Sequence, residues 1–401
     1  MSVWDDLVGQ DAAVEVLSGA ARAAADQLAG GPGTGMTHAW LLTGPAGSGR
    51  TNAARAFAAA LQCEEAGCGR CLDCLTTVAG SHADLIALST EGQAIDIETV
   101  RKLVRRASEH PSQGRWLVVV VEDADRIAER SWNVLLKALE EPTARTVWVL
   151  CAPSVDDLLV TVRSRCRLVA LRTPPAPAIA ALLERRDGVD ASMASFAARA
   201  SQGHIGRARL LARDEQVRLR RAEVLELPMR LDDIGSSLVA AANLVEAANE
   251  EAERRAGEIE KGELRDLRSS MGVDVETGLP PRGLKIRDVK AQEEALAKAQ
   301  KARRKRIVAD TLGLALVDVL AFYRDVLLLQ VGSPLDPVHS DLGREAVREA
   351  GRTTPEQTLR RIAVIDDTHR LVTDPHAQAN TLLAVEAMAV ALGSGVPLLP
   401  R

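Results

Sequence analysis

An α/β module built on a parallel sheet, followed by an all-helical remainder, is the architecture this sequence predicts, on three observations. The run Leu117 to Val121 is apolar, mostly β-branched, and ends in Glu122-Asp123-Ala124-Asp125-Arg126. That pattern suits a strand buried on both faces whose C-terminal end carries acidic side chains, the end where open parallel sheets bind ligands. An earlier apolar strand, Ala39 to Thr43, feeds Gly44-Pro45-Ala46-Gly47-Ser48-Gly49-Arg50-Thr51 and an Ala-rich helix, Asn52 to Leu61. Strand, Gly-rich loop and helix in that order point backbone N–H groups and a helix N-terminus at an anion. From about residue 215 onward no strand-like alternation remains.

Composition bounds the function. The 401 residues amount to about two or three domains. With 46% hydrophobic and 26% charged residues the chain sits among globular proteins. A net charge of -5 argues against a chain that coats nucleic acid on its own, so any DNA contact is expected to be local or made by partners. Aromatics make up 2%, with Tyr323 the single tyrosine, which disfavours a base-stacking platform. Asp5 and Asp6 stand where a secretory leader would be cationic, and no apolar run approaches a membrane span. The expectation is a cytoplasmic protein without a membrane.

Taken in order, Trp4 to Gln10 precede an apolar-periodic helix, Ala12 to Ala25, and a Gly-rich break, Gly30 to Gly35, leads into the first strand. After the loop and its helix come the cysteines, then a strand at Asp84 to Ser89 with His82 beside it, and a helix Glu98 to Glu109. Arg101, Lys102, Arg105 and Arg106 give that helix a basic face, either solvated or turned to a neighbouring macromolecule. Following the acidic strand end, Asn133-Val134-Leu135-Leu136-Lys137-Ala138-Leu139-Glu140-Glu141-Pro142 places Leu135, Leu136 and Leu139 on one helical face, and Pro142 stops the helix. A further strand, Val147 to Cys151, and Thr161-Val162-Arg163-Ser164-Arg165-Cys166 complete the set.

This series of motifs resembles the clamp-loader subunits of bacterial DNA polymerase III, which are AAA+ proteins. A generic buried strand beside an amphipathic helix explains the hydrophobic pattern but not the polar letters. The resemblance implies an AAA+ nucleotide-binding-like domain over residues 1–173, a helical lid over 174–214 and an all-helical collar over 215–401. It also implies partners: the other loader subunits (gamma/tau and delta), with the sliding clamp and primed DNA reached through the complex. Residues Trp4 to Gln10 look like the family segment that closes over adenine.

Four departures from the family pattern converge on one site. Arg50 stands where lysine is expected beside Gly44, Gly47, Gly49 and Thr51, and a planar guanidinium is wider and longer than an ammonium. The family places Asp then Glu at the strand end, whereas this chain has Glu122 then Asp123, so each charge is displaced by about 1.5 Å. A misplacement of about 1 Å can cost on the order of a hundredfold in rate. The position that senses the γ-phosphate falls on Ala152 and Pro153, whose side chains donate no hydrogen bond, and the lid arginine falls on Gly206, with Arg207 one residue on. Binding of ATP or ADP stays compatible with the loop; ordinary hydrolysis does not follow. The pattern is similar to the family member that does not run the ATPase cycle. Arg165 matches the family's arginine finger, which reaches a neighbour's ATP and can contribute about 10³ to 10⁵ in rate.

Cys63, Cys68, Cys71 and Cys74 have spacing C-x₄-C-x₂-C-x₂-C, suited to a closed tetrahedral Zn²⁺ site that pins an insertion too short for its own core. The family carries a zinc module here; an iron–sulfur cluster is the competitor. Beyond Arg172-Thr173-Pro174-Pro175, Ala176 to Arg185, Ala191 to Ser201 and Ile205 to Arg213 read as three lid helices. Glu250 to Arg268 and Lys290 to Arg306 flank Gly272 to Gly283 as a charged insertion, 250–306, either two helices and a loop or disordered. Lys301, Arg303, Arg304, Lys305 and Arg306 form its densest basic cluster, and Asn380 to Leu392 resembles the last collar helix. Two rival functions remain: a hydrolytically active gamma/tau-type ATPase, and a zinc-containing DNA-binding or repair factor.

Overall fold

The five strands alternate with helices in the first half of the chain and every pairing between them is parallel. The computed structural model describes residues 2–90, 94–231, 233–273, 286–339, 342–374, 377 and 380–394. Two compact units divide the chain, one running to Glu215 and the other from Gln216.

In the first unit the strands are β1 (Ala39–Thr43), β2 (Leu85–Leu88), β3 (Leu117–Val121), β4 (Thr146–Ala152) and β5 (Arg167–Ala170), in spatial order β2-β3-β4-β1-β5. The chain enters at β1, crosses to the far edge at β2, and returns strand by strand. The C-terminal end of β1, between β4 and β5, is therefore the crevice where such sheets bind ligands. Every residue of β1, β3 and β4 is buried, because helices cover both faces.

Strand alternation assigns each side chain to one of two cores. Trp40, Leu42, Val118, Val120, Val147, Val149 and Cys151 face α1 (Asp11–Leu28) and α2 (Arg50–Gln62), whose small Ala side chains let the helices approach the sheet. Leu41, Val119, Val121, Trp148 and Leu150 face α4 (Ile97–Ala107) and α5 (Glu129–Glu140). Leu135 and Leu139 of α5 are fully buried, while Leu136 sits at the margin. Between α2 and β2 the cysteine segment adds α3 (Leu72–Ala79), and α6 (Val160–Arg163) precedes β5. Helices α7 (Ala176–Asp187), α8 (Ala191–Ala200) and α9 (Ile205–Arg213) occupy the stretch expected for the lid. Asp6 pairs with Arg186 of α7 and ties the lid to the N-terminal segment.

The second unit is helical throughout its described residues. It holds α10 (Glu215–Leu225), α11 (Ile234–Ser270), α12 (Ile286–Gln330), α13 (Gly343–Arg352), α14 (Pro355–Thr373) and α15 (Thr381–Ser394). Its core gathers Leu244, Leu316, Phe322, Tyr323, Ile365 and Met388 from the packed faces of four of these helices. One sequence expectation changes form here. The charged stretches 250–268 and 290–306 are not separate insertion helices but the outer halves of the long α11 and α12. Ala248, Ala252 and Ala256 recur every four residues down α11 and are buried, so the two helices pack closely. The expected loop between them lies, from 274 to 283, outside the described residues. Among the described residues no helix is long and apolar enough to cross a membrane.

Candidate functional site

The loop after β1 reaches α2 through Gly49, whose φ of 92° lies in the left-handed region that a side chain would disfavour. Gly47 has a different constraint. A Cβ built there would lie 2.2 Å from Cγ of His204, the residue that starts lid helix α9. The lid therefore packs directly on the phosphate-type loop. His204 Nδ1 accepts the Arg207 N–H at 3.1 Å and caps α9. Burial, then the charges of Arg207 and Arg50, hold the His204 imidazole below its ordinary range and keep it neutral.

Arg50 turns back into the loop, where its Nη1 donates to the Gly44 carbonyl. Burial pulls Arg50 below the usual arginine range although Cys151, Asp125, Asp123 and Asp157 favour its charge. Gly44 N–H donates to Pro153 O at 3.2 Å, and Gln10 Nε2 donates to Ser48 O at 3.3 Å and Arg172 O at 2.7 Å. The loop is thus braced from β4, from the exit of β5 and from the N-terminal segment. Ser48 Oγ is buried without a hydrogen-bond partner in this arrangement.

The two acidic residues at the end of β3 are also engaged by their own chain. Arg55, on α2, donates to Glu122 Oε1 at 2.9 Å. Asp123 Oδ2 accepts the Thr90 N–H at 3.0 Å, with Arg126 4.0 Å from its other oxygen. Asp125 is the third carboxyl of the group, and burial raises its pKa. Ala152 closes β4, fully buried, and offers no polar atom from its side chain. Gly206 is exposed on α9, while Arg207 is 7% exposed. Among the described residues, protein groups brace this loop and the neighbouring acidic strand end: Arg50 on Gly44, His204 on Gly47 and Arg55 on Glu122. Sequence reasoning missed Arg55 and His204, and gave Asp125 and Gln10 no part in bracing the loop. None belongs to the loop motif, and Arg55 and His204 meet their partners 67 and 157 residues away along the chain.

Arg165 lies elsewhere, in the turn between α6 and β5, with its side chain 35% exposed. Its Nη1 donates to Thr161 O at 2.6 Å, and Nη2 pairs with Glu140 at the end of α5. A surface cation is therefore held in one orientation by the helix motif that precedes it in sequence. Glu140 is a further residue that the sequence did not single out for this role.

The four cysteines of the insertion come together. Their Sγ atoms all lie within 4.8 Å of one another, and Cys71 Sγ is 3.8 Å from Cys63 Sγ. At a Zn–S distance of about 2.3 Å, a tetrahedron has S···S separations of about 3.8 Å. Backbone N–H groups of Cys68, Cys71 and Cys74 each donate, at 3.4 Å, to the preceding cysteine's sulfur, an arrangement that favours thiolates. N–H donors from Arg70 and Cys71 draw Cys68 down to about 6, while burial pushes the Cys71 and Cys74 thiols up. These residues fit a four-thiolate metal site. Cys63 and Cys74 are buried against Ala59 of α2, and Val3 N–H and Ser2 Oγ donate to Gly67 O, which seats the segment on the N-terminus.

The remaining polar candidates take structural positions. Asp84 accepts the N–H groups of Ser112, Gln113 and Gly114 and the Ser112 hydroxyl at 2.5 to 2.9 Å. His82 accepts the Asp84 N–H at 3.0 Å. In the basic cluster of α12, Arg303 and Arg304 are paired inward with Glu263 and Glu260.

Residues 32–175 match the family model described as DNA polymerase III, delta subunit. The DNA polymerase III subunit delta' of Pseudomonas aeruginosa is 38% identical over 153 residues, covering 37% of this chain and 46% of that protein. Its counterpart in Escherichia coli is 33% identical over 177 residues, covering 43% and 53%. The DNA polymerase III subunit gamma/tau of Mycobacterium tuberculosis is 31% identical over 156 residues, covering 37% of this chain and 27% of that protein. The chain spans about half the length of the two delta' relatives it matches. The matched stretch, residues 32–175, contains the parallel sheet and its braced loop and is similar to DNA polymerase III clamp-loader subunits.

Proposed function

We propose that this chain is the delta-prime subunit of a DNA polymerase III clamp loader, a scaffold that lends Arg165 to the ATP site of a neighbouring subunit while its own pocket does not hydrolyse. One observation carries the reading: Glu122 and Asp123, the residues that would serve a magnesium ion and a water, are tied to Arg55 and to the Thr90 N–H. Arg165, by contrast, stands at the surface with its guanidinium held by Glu140 and Thr161.

In this role the chain's own residues do three things. Arg165 exchanges Glu140 for a neighbour's γ-phosphate and stabilises the charge that develops there. Arg50, Arg55 and His204 keep the loop braced, so the module behaves as a rigid body when the ring works. Cys63, Cys68, Cys71 and Cys74 hold a structural Zn²⁺, which supplies cross-linking of the insertion and no chemistry. Partners are the gamma/tau and delta subunits, with the clamp and primed DNA engaged through the assembly.

The test is reconstitution with the other loader subunits. Arg165→Ala should leave assembly intact, since an exposed ion pair contributes about 0 to 1 kcal/mol, and should lower DNA-stimulated ATPase at the site it serves by tenfold or more. Unchanged ATPase and clamp loading would overturn the finger. The gamma/tau-type reading draws on the 31% identity to that subunit over 156 residues; brisk ATP turnover by the isolated chain would favour it instead.

A further inference from the structure

The outer half of α12 sorts its charges onto two faces. Glu293, Gln300, Arg303 and Arg304 turn toward α11, where Arg268 reaches Glu293 at 2.8 Å, Gln300 reaches Glu263 at 3.2 Å, Arg303 is bidentate on Glu263, and Arg304 is bound to Glu260. At about 100° per residue, Arg287, Lys290, Lys298, Lys301 and Lys305 fall within about 80° of arc, roughly 120° round the helix from that seam. All five are exposed, and none of them makes an ion pair among the described residues. From Arg287 to Lys305 the stripe is about 27 Å long at 1.5 Å per residue. Glu294 is the acidic residue within it, which leaves four net positive charges. At its inner end Lys301 and Lys305 border a groove of about 670 Å³ with Asn249, Asn380 and Thr381 on its rim.

We infer that this face of α12 is a docking surface for the phosphate backbone of nucleic acid, independent of base sequence. A protein partner would need apolar or aromatic anchors at the centre of the contact, and no Phe, Trp or Tyr occurs between residues 250 and 306. The same absence removes base stacking, leaving cations spaced along a straight rod. Double-stranded DNA presents a charge every 1.7 Å of axis, so a rod of about 27 Å meets more phosphates than it has cations, and each cation can be used. The chain's net charge of -5 makes such a contact local to this stripe rather than general. The inference does not rest on Arg165 or on the state of the nucleotide loop.

The experiment uses the full chain and a fluorescent mixed-sequence DNA duplex, with anisotropy followed as salt is raised. Five phosphate contacts give a slope of log K against log salt of about -4.5, a loss of about 500-fold between about 50 and 200 mM. Changing Lys290, Lys298, Lys301 and Lys305 together to Gln should cut that slope by about 3.6, and changing them to Arg should preserve it. Duplexes of unrelated sequence should bind alike. All four positions are exposed, so an unchanged thermal midpoint in both variants confirms folding. No salt-dependent binding by the wild-type chain, or a slope untouched by the Gln variant, would overturn the inference. ATPase of the reconstituted loader without DNA should be the same for the Gln variant, which separates failure here from failure of the finger.

Discussion

Asp84 shows how much a single carboxylate can hold. It is 2% exposed and accepts three backbone N–H groups and one hydroxyl from residues 112–114, the turn that delivers the chain into β3. Burial alone would raise its pKa, but the donors outweigh that effect and hold it below the ordinary carboxylate range. Asp84→Ala would strand those N–H groups at about 1 to 3 kcal/mol each, with partial relief from water. We expect a loss of about 3 kcal/mol in urea unfolding at neutral pH, and a smaller one for Asp84→Asn, which keeps one acceptor. A loss below about 0.5 kcal/mol for the Ala variant would contradict this account. Its depressed pKa means the contribution is present above the unfolded value of 3.8 and is lost as pH falls through the lower folded value. From the sequence Asp84 read as an ordinary strand-start residue, because the groups it binds are 28 to 30 residues away. Gly44 to Thr51 were legible for the opposite reason, since strand, loop and helix are contiguous. Arg55 on Glu122 and His204 on Gly47 depend on strand order and on the packing of the start of α9 against the loop, which no local spacing encodes.

At the scale of elements, the cysteine insertion is the clearest case of local information. Its ligands lie within twelve residues, so a spacing was enough to anticipate the cluster whose sulfurs converge within 4.8 Å. Helix α3 has eight residues, too few to be stable alone in water, and its Leu72, Leu75 and Val78 are exposed rather than packed. What holds it is therefore the cluster and the contact of Cys63 and Cys74 with Ala59. Elemental analysis should find about one zinc per chain in colourless protein. Chelation at neutral pH, or Cys74→Ser, should abolish hydrogen-exchange protection across 63–80 while β3 and β4 stay protected. Brown protein, or protection of α3 that survives metal removal, would count against the zinc assignment. The long helices taught a different lesson. Charge density over 250–306 suggested an appended insertion, yet the buried Ala248, Ala252 and Ala256 continue the second unit's own packing seam outward. Small residues spaced by four carry that continuity, and the abundant charges around them masked it.

Across the whole molecule, each unit buries histidine in the neutral form, and this links overall stability to pH. In the second unit His339 is 2% exposed; its Nδ1 faces Arg221 Nη2 at 2.7 Å and its Nε2 faces the Asp318 carbonyl at 3.2 Å. An arginine can only donate, so Nδ1 accepts, and the ring is the neutral tautomer with its proton on Nε2. Asp325 holds the His339 N–H at 2.8 Å, and Arg221 reaches Asp318 at 3.3 Å, so the ring closes a buried polar network. Burial first, then Arg221, lowers the His339 pKa from 6.5 although Asp318 and Asp325 pull the other way; His204 and His369 are lowered by burial as well. The unfolded chain thus binds more protons than the folded one once pH drops below about 6.5, and stability falls as the solution is acidified. Each such histidine contributes a slope of up to about 1.4 kcal/mol per pH unit. Urea unfolding between pH 7.5 and 5.5 should show decreasing stability, and His339→Gln should be less stable at pH 7.5 but lose less on acidification than the wild type, by about that amount per unit. Equal pH slopes for the two proteins would mean that His339 keeps an ordinary pKa and that the network tolerates the imidazolium beside Arg221.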